Sequence, residues 1–413
     1  MGLRSVLRAI DPGHISLIMR GCNVVLLFLA GLIIPKLIGV NAYGLFAEIQ
    51  ALISLIVVVL VSGIPNLIIR LKNISNRLEI KNSSIRFSVY LFQITLLIII
   101  FTIYWSFYNP EKFSNELNVL IFATVCLFVV IRIEKSIMIA QGKGLLGQLS
   151  ELIIFPVVFV TLIMLAKQNA GVADFVSYRF SGLVFAIAIT IGLIFLLGNN
   201  VSDNDQVAFK LTSLKKDWML LLIPLLGIQV FFDSLIIIAA KFYSYEYAAN
   251  LDLAKRFGLL PYMVIVSYMV PILRKIRLNS IDAEVEKKSF EIERKRLCRI
   301  VISVVILTGI ITYLYESLIA PEFKYLSFYT AFFLGAWLLV APYCFSIQQI
   351  LISLNSSKLL QFYALNFLGN FALIFALIYF DLKKLIIFAV FSFIVTLGMG
   401  SKKLNNFYGS LKC

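Results

Sequence analysis

The sequence predicts an all-α polytopic membrane protein of about twelve transmembrane helices, and three observations carry that reading. Of 413 residues, 61% are hydrophobic and only 14% charged, against roughly 45–50% and 25% in soluble domains. Mean hydropathy is +0.95. The apolar residues come in unbroken runs, such as Val24 to Ile34 and Leu96 to Phe101, and not in the alternating segments of about ten residues that build an outer-membrane barrel. At about 20 residues per crossing of the hydrocarbon core, twelve helices fit the chain and leave short connections.

Charged residues, Pro and Gly punctuate the apolar windows and place the spans in order. The first runs over 14–35 behind Arg4 and Arg8; it is too long for a signal h-region and reads as a retained helix. The second, 43–64, follows the loop at Gly39 and stops before the basic stretch Arg70 to Arg86. The third to sixth cover 87–106, 117–138, 147–166 and 173–197, divided by charged connections at Lys112, Lys143 and Lys167. A polar segment from Gly198 to Asp217 then falls near the midpoint and divides the spans six and six. It sets the expected domains at 1–200 and 217–413, with a cytoplasmic linker at 201–216. The seventh to twelfth spans follow at 217–240, 247–272, 300–319, 326–350, 359–380 and 385–400. The longest connection, Arg274 to Arg299, mixes Glu284, Glu286 and Glu291 with Lys287, Lys288 and Arg294, a pattern that suits an amphipathic cytoplasmic helix.

Lys plus Arg number 37 against 22 Asp plus Glu, a net +15. In a membrane protein such an excess sets orientation and is no sign of nucleic acid, because Lys and Arg accumulate in short cytoplasmic loops. One side collects Arg4 and Arg8, the Arg70 to Arg86 stretch, Lys210, Lys215 and Lys216, the basic residues of Arg274 to Arg299, and Lys402, Lys403 and Lys412. The other side holds scattered lysines. Both termini are therefore expected in the cytoplasm.

Enzyme signatures are missing. His14, at the start of the first span, is the single histidine, so no nucleophile–His relay deep in the membrane is expected and a multi-His metal site cannot be assembled. No GxxxxGK[ST] phosphate loop occurs. The five cysteines are scattered and odd in number, without metal-ligand spacing. No cofactor is expected.

The stretch Gly39-Val40-Asn41-Ala42-Tyr43-Gly44-Leu45-Phe46-Ala47 at the start of the second span has a counterpart in Tyr245 to Ala254 at the start of the eighth, as an internally repeated transporter would show. Leu37-Ile38-Gly39 followed by Tyr43-Gly44-Leu45-Phe46-Ala47 resembles the pattern after the first span of polysaccharide exporters and Wzx-type O-antigen flippases. These families belong to the multidrug/oligosaccharidyl-lipid/polysaccharide exporter superfamily. Pro224, Asp233 to Ile237, Ala249 to Ala254 and Pro271 resemble its seventh and eighth spans, with Ala249 and Leu251 standing where Gly and Tyr are usual. The resemblance implies two MATE-like six-helix bundles around a cationic cavity that opens alternately to either side. It also implies a flippase of the bacterial inner membrane that moves undecaprenyl-pyrophosphate-linked O-antigen or related repeat units. Its partners would be that lipid-linked oligosaccharide, membrane lipid and other polysaccharide-assembly membrane proteins, with no nucleic acid.

A charge at the bilayer centre costs at least about 2.5–3.5 kcal/mol on insertion scales, so each one within a span is a candidate. Arg20 in the first span is placed to take a pyrophosphate, since guanidinium matches phosphate oxygens with a planar fork; snorkelling to the inner headgroups is the plainer reading. Lys255 and Arg256 in the eighth span read either as cavity cations or as partners of Asp252, at i+3 and i+4 from it. Arg179, Asp233 and Glu48 fall at comparable depth, as substrate-binding, charge-pairing or ion-coupling groups. Glu316 is expected at the interface. Pro156, Pro224, Pro261, Pro271 and Pro342 lie within spans, as kinks or hinges. Two other functions remain: a cation-coupled multidrug or metabolite exporter, whose cavity should be acidic, and a membrane glycosyltransferase or polymerase, which should carry a large outer loop.

Overall fold

In the computed structural model the described residues are 32–61, most of 90–102, 113–140, part of 172–188, 230–264, 283–343, 357–380 and 386–410. All regular structure among them is helical. The complete helices are α1 (Val40–Val61), α2 (Asn115–Ala140), α3 (Tyr245–Gly258), α4 (Ala283–Leu314), α5 (Leu326–Val340), α6 (Ser357–Tyr379) and α7 (Ile386–Ser410). A further helical stretch at 230–242 precedes α3. Three described segments, Val40–Val61, Asn115–Glu134 and Arg294–Ile319, are long and apolar enough to cross a membrane.

Packing divides the chain into two compact units. One comprises Met1–Leu37 with Ile49–Asp233, the other Ile38–Glu48 with Ser234–Cys413. Helix α1 contributes to both, with its first turns, through Glu48, belonging to the second unit. The expected linker at 201–216 lies outside the described residues.

In the first unit, α2 supplies a buried row, Leu117, Ile121, Val125 and Val129, spaced four residues apart on one helical face. Phe101 meets Phe122 edge-on at 4.3 Å. Glu134, a charge near the end of an apolar helix, accepts a hydrogen bond from the Tyr90 hydroxyl at 2.8 Å.

In the second unit α5 lies at the centre, packed against α3, α4 and α7, and α6 packs on α7. Small residues permit this, as between helices in lipid, where close backbone approach provides much of the attraction. A methyl group added at Gly258 would overlap Phe333, and one at Gly398 would overlap Val340. The outward stripe of α4, Ile302, Ile306, Ile310 and Leu314, is exposed, whereas Val301, Val305, Thr308 and Thr312 are buried. The stripe suits contact with lipid. Both buried threonine hydroxyls donate back to carbonyls one turn earlier, to Val304 at 2.7 Å and Thr308 at 2.8 Å, so neither is left unsatisfied in an apolar surrounding. Between α6 and α7 the Asn366 amide oxygen accepts from Asn370 at 2.8 Å and from the Thr396 hydroxyl at 2.5 Å.

Two elements differ from the sequence reading. The described part of the charged connection before the ninth span, 283–299, is no separate helix: it runs into the span as the 32-residue α4, about 48 Å long and longer than the roughly 30 Å hydrocarbon core. From Ala283 to Thr308 the chain contains neither Pro nor Gly, and Gly309 is the first breaker met, so nothing ends the helix where the polarity changes. The eighth span is interrupted: α3 ends at Gly258, Leu259 forms a turn, and helix resumes at 260–264. Pro261 then sits in the first turn of the resumed helix, where its missing N–H costs nothing. Pro342 lies in a short 3-10 turn, Ala341–Tyr343, that ends α5. Pro156, Pro224 and Pro271 lie outside the described residues.

Glu316 has a local role. A π-helical turn, Tyr315–Ile319, follows α4 and brings the Glu316 carboxylate to the start of α5, where it accepts from the Ser327 N–H at 2.5 Å. The carboxylate thereby meets one of the N–H groups a helix start leaves without an internal partner, at the positive end of the helix dipole. Glu316→Ala should cost about 1–2 kcal/mol and lower the Tm of the purified protein. Glu316→Gln, which keeps an acceptor, should lose less.

Candidate functional site

Two helix starts build the site. At Gly39 the backbone takes φ 78°, in the left-handed region that glycine adopts without strain. This turns the chain so that the Tyr43 N–H reaches the Gly39 carbonyl at 2.9 Å and α1 begins. On the other side Ser244, extended at φ −161°, caps α3, its hydroxyl accepting from the Tyr247 N–H at 3.1 Å. Asn250 closes the next turn by donating to the Glu246 carbonyl at 2.9 Å.

These starts touch each other. A Cβ at Gly44 would overlap the Tyr245 backbone carbonyl, so glycine is what lets the two backbones approach this closely. The two stretches paired as a repeat in the sequence, Gly39 to Ala47 and Tyr245 to Ala254, are therefore packed together.

At their junction Tyr43 is 1% exposed and Asp252 3%. The Tyr43 hydroxyl donates to Asp252 Oδ2 at 2.6 Å, and Arg256 Nε donates to the same oxygen at 2.8 Å. The Arg256 guanidinium carbon also lies 6.0 Å from the centre of the Tyr43 ring, at the outer reach of a cation–π contact. Phe46 and Phe323 flank the ring, each with its centre 6.3 Å away. An ionised carboxylate is tolerable here because a charged and a neutral donor both serve it. The Arg256 side chain keeps 29% of its surface, against 5% for Asp252, so the pair has an open side and a covered side.

The site residues expected from the sequence fall unevenly. Asp252 and Arg256 are brought together at i,i+4, with Lys255 half-buried beside them. Glu48 on α1 and Asp233 on the 230–242 stretch are both buried, at 0% and 1% exposure. Lys241, the basic residue on the same helical stretch as Asp233, is exposed eight residues further along, about 12 Å on. Arg20 and Arg179 lie outside the described residues. The sequence reading does not count Tyr43 as a site residue, although it stands in the very motif that carries the family resemblance. Among the described residues no group of three or more His, Cys, Asp or Glu side chains is arranged to hold a metal ion.

No protein-family model and no curated protein sequence matches the chain. Solved structures do. An inward-facing multidrug-resistance MATE transporter of the MOP superfamily aligns at TM-score 0.64 and 14% identity over 97% of this chain and 98% of its own. An outward-facing one aligns at 0.58 and 15%, over 98% and 96%. A MOP-superfamily transporter from Pyrococcus furiosus, described as having a binding pocket of reverse polarity that suggests a different function, aligns at 0.53 and 15%, over 98% and 96%. The chain is an all-α, multi-pass membrane protein with the fold of the MATE transporters of the MOP superfamily.

Proposed function

We propose that the chain is an alternating-access flippase that carries undecaprenyl-pyrophosphate-linked O-antigen, or a related repeat unit, across the bacterial inner membrane, with both termini in the cytoplasm. The fold supports the transport part of this reading, for its solved relatives include both inward-facing and outward-facing MATE transporters. The observation that carries the anionic substrate is Arg256. It is a half-buried guanidinium inside an expected span, oriented through Nε by Asp252 and preceded on the helix by Lys255. Guanidinium stays ionised and matches phosphate oxygens with a planar fork. Moving a pyrophosphate through the membrane needs such groups to replace its lost hydration. The two-bundle organisation at 1–200 and 217–413, and contributions from Arg20 and Arg179, belong to the same proposal.

A second reading, a cation-coupled multidrug or metabolite exporter, is favoured by the near-complete burial of Glu48 and Asp233. Ligand binding to the purified full-length chain separates the two. The flippase reading expects geranyl diphosphate to raise the Tm and tetraphenylphosphonium not to. The reverse result would favour the exporter.

A further inference from the structure

The Tyr43 hydroxyl and the Asp252 carboxylate meet across 209 positions of sequence, and both groups are buried. Three features make this more than a packing contact. Asp252 Oδ2 accepts from Tyr43 at 2.6 Å and from Arg256 at 2.8 Å, so one oxygen atom serves both donors and the two bonds depend on one carboxylate orientation. The neighbouring residue, Gly44, brings its backbone against Tyr245, so the hydrogen bond lies one residue from a direct backbone contact between α1 and α3. The ring of Tyr43 is held separately, by Phe46 and Phe323. Packing alone would be satisfied by phenylalanine, and the hydroxyl is an addition to it.

We propose that Tyr43 is a positioning residue whose hydroxyl latches the start of α1 to the start of α3 through Asp252 and, by fixing that carboxylate, sets the orientation of Arg256. The effect on ligand rests on the reading of Arg256 as an anion contact; the latch does not. Asp252 takes Nε and leaves the terminal amines of Arg256 for an anion, so an anion bound there shares the guanidinium with the carboxylate on which Tyr43 also converges, and binding is linked to the contact between the two helix starts. A hydrogen bond to a buried charge, broken or made as a unit with a close backbone contact, gives two discrete arrangements rather than a continuous slide.

The test uses the full chain with its native cysteines replaced and spin labels at Asn41 and Glu246, both exposed near the starts of α1 and α3. The unchanged chain should show mainly one short distance. Tyr43→Phe, which removes only the hydroxyl, should lower the ratio of short to long separations about tenfold, the scale of a lost hydrogen bond to a charged group. Phe323→Leu, which loosens the ring and keeps the hydroxyl, should leave the ratio unchanged. Identical distributions for Tyr43→Phe and the unchanged chain would overturn the latch. Geranyl diphosphate is the second arm: Tyr43→Phe should alter its Kd in the Arg256 chain and not in Arg256→Gln. An equal Kd with and without the hydroxyl in the Arg256 chain would overturn the positioning role. Absence of any binding to the unchanged chain would instead remove the proposed diphosphate substrate and leave the distance result standing.

Discussion

Replacing Lys255 and Arg256 together by Ala is expected to abolish oligosaccharide delivery, with part of the loss coming from folding. Removing Arg256 leaves Asp252 as a buried carboxylate with its charged partner gone. For a fully buried pair that costs about 3–5 kcal/mol; here about 2–3 kcal/mol is expected, because Arg256 keeps 29% of its surface. The neutral pair Asp252→Asn with Arg256→Gln separates the two effects. It removes both charges at once, leaves an amide oxygen to accept from Tyr43, and should lower stability by no more than about 1 kcal/mol. Its folded yield should approach that of the unchanged chain while delivery stays lost. Normal delivery by the neutral pair would show that the Arg256 charge has no part in transport.

Gly44→Val is the second large effect. Overpacking a core costs typically about 1–3 kcal/mol, when neighbouring side chains can move aside. The obstacle at Gly44 is the backbone carbonyl of Tyr245, at the capped start of a helix, and it cannot rotate away. Loss of more than about 3 kcal/mol is expected, seen as a collapse in folded yield. Gly369→Ala is the matched control, since nothing lies within 4 Å of the added methyl. In mid-helix it should be neutral or stabilise by up to about 1 kcal/mol. A normal Tm and yield for Gly44→Val would show that α1 and α3 do not need their close contact.

The helices are legible where the apolar runs have clear terminators. The expected span at 43–64 is α1 at Val40–Val61, and that at 359–380 is α6 at Ser357–Tyr379. The reading fails where polarity and helix propensity part company. Residues 283–299 are polar enough for a separate connection, yet they contain no helix breaker and continue as α4. The pairing of Asp252 with Arg256 is legible because i,i+4 neighbours share a helix face whatever the rest of the fold does. Tyr43 is not, because its partner is set by packing between segments 209 positions apart. Local spacing carries no information at that range. The role of Glu316 is hidden for a similar reason: its carboxylate, on the π turn after α4, meets the Ser327 N–H across the connection to α5, and helical spacing does not predict a contact made across a connection.

The most direct test of the central claim, that this chain flips a lipid-linked oligosaccharide, is the distribution of that lipid between the two leaflets in cells lacking the chain, with and without its return. The account predicts accumulation in the inner leaflet, relieved by the unchanged chain and not by the Asp252→Asn, Arg256→Gln pair. Normal delivery to the outer leaflet in cells lacking the chain would contradict it.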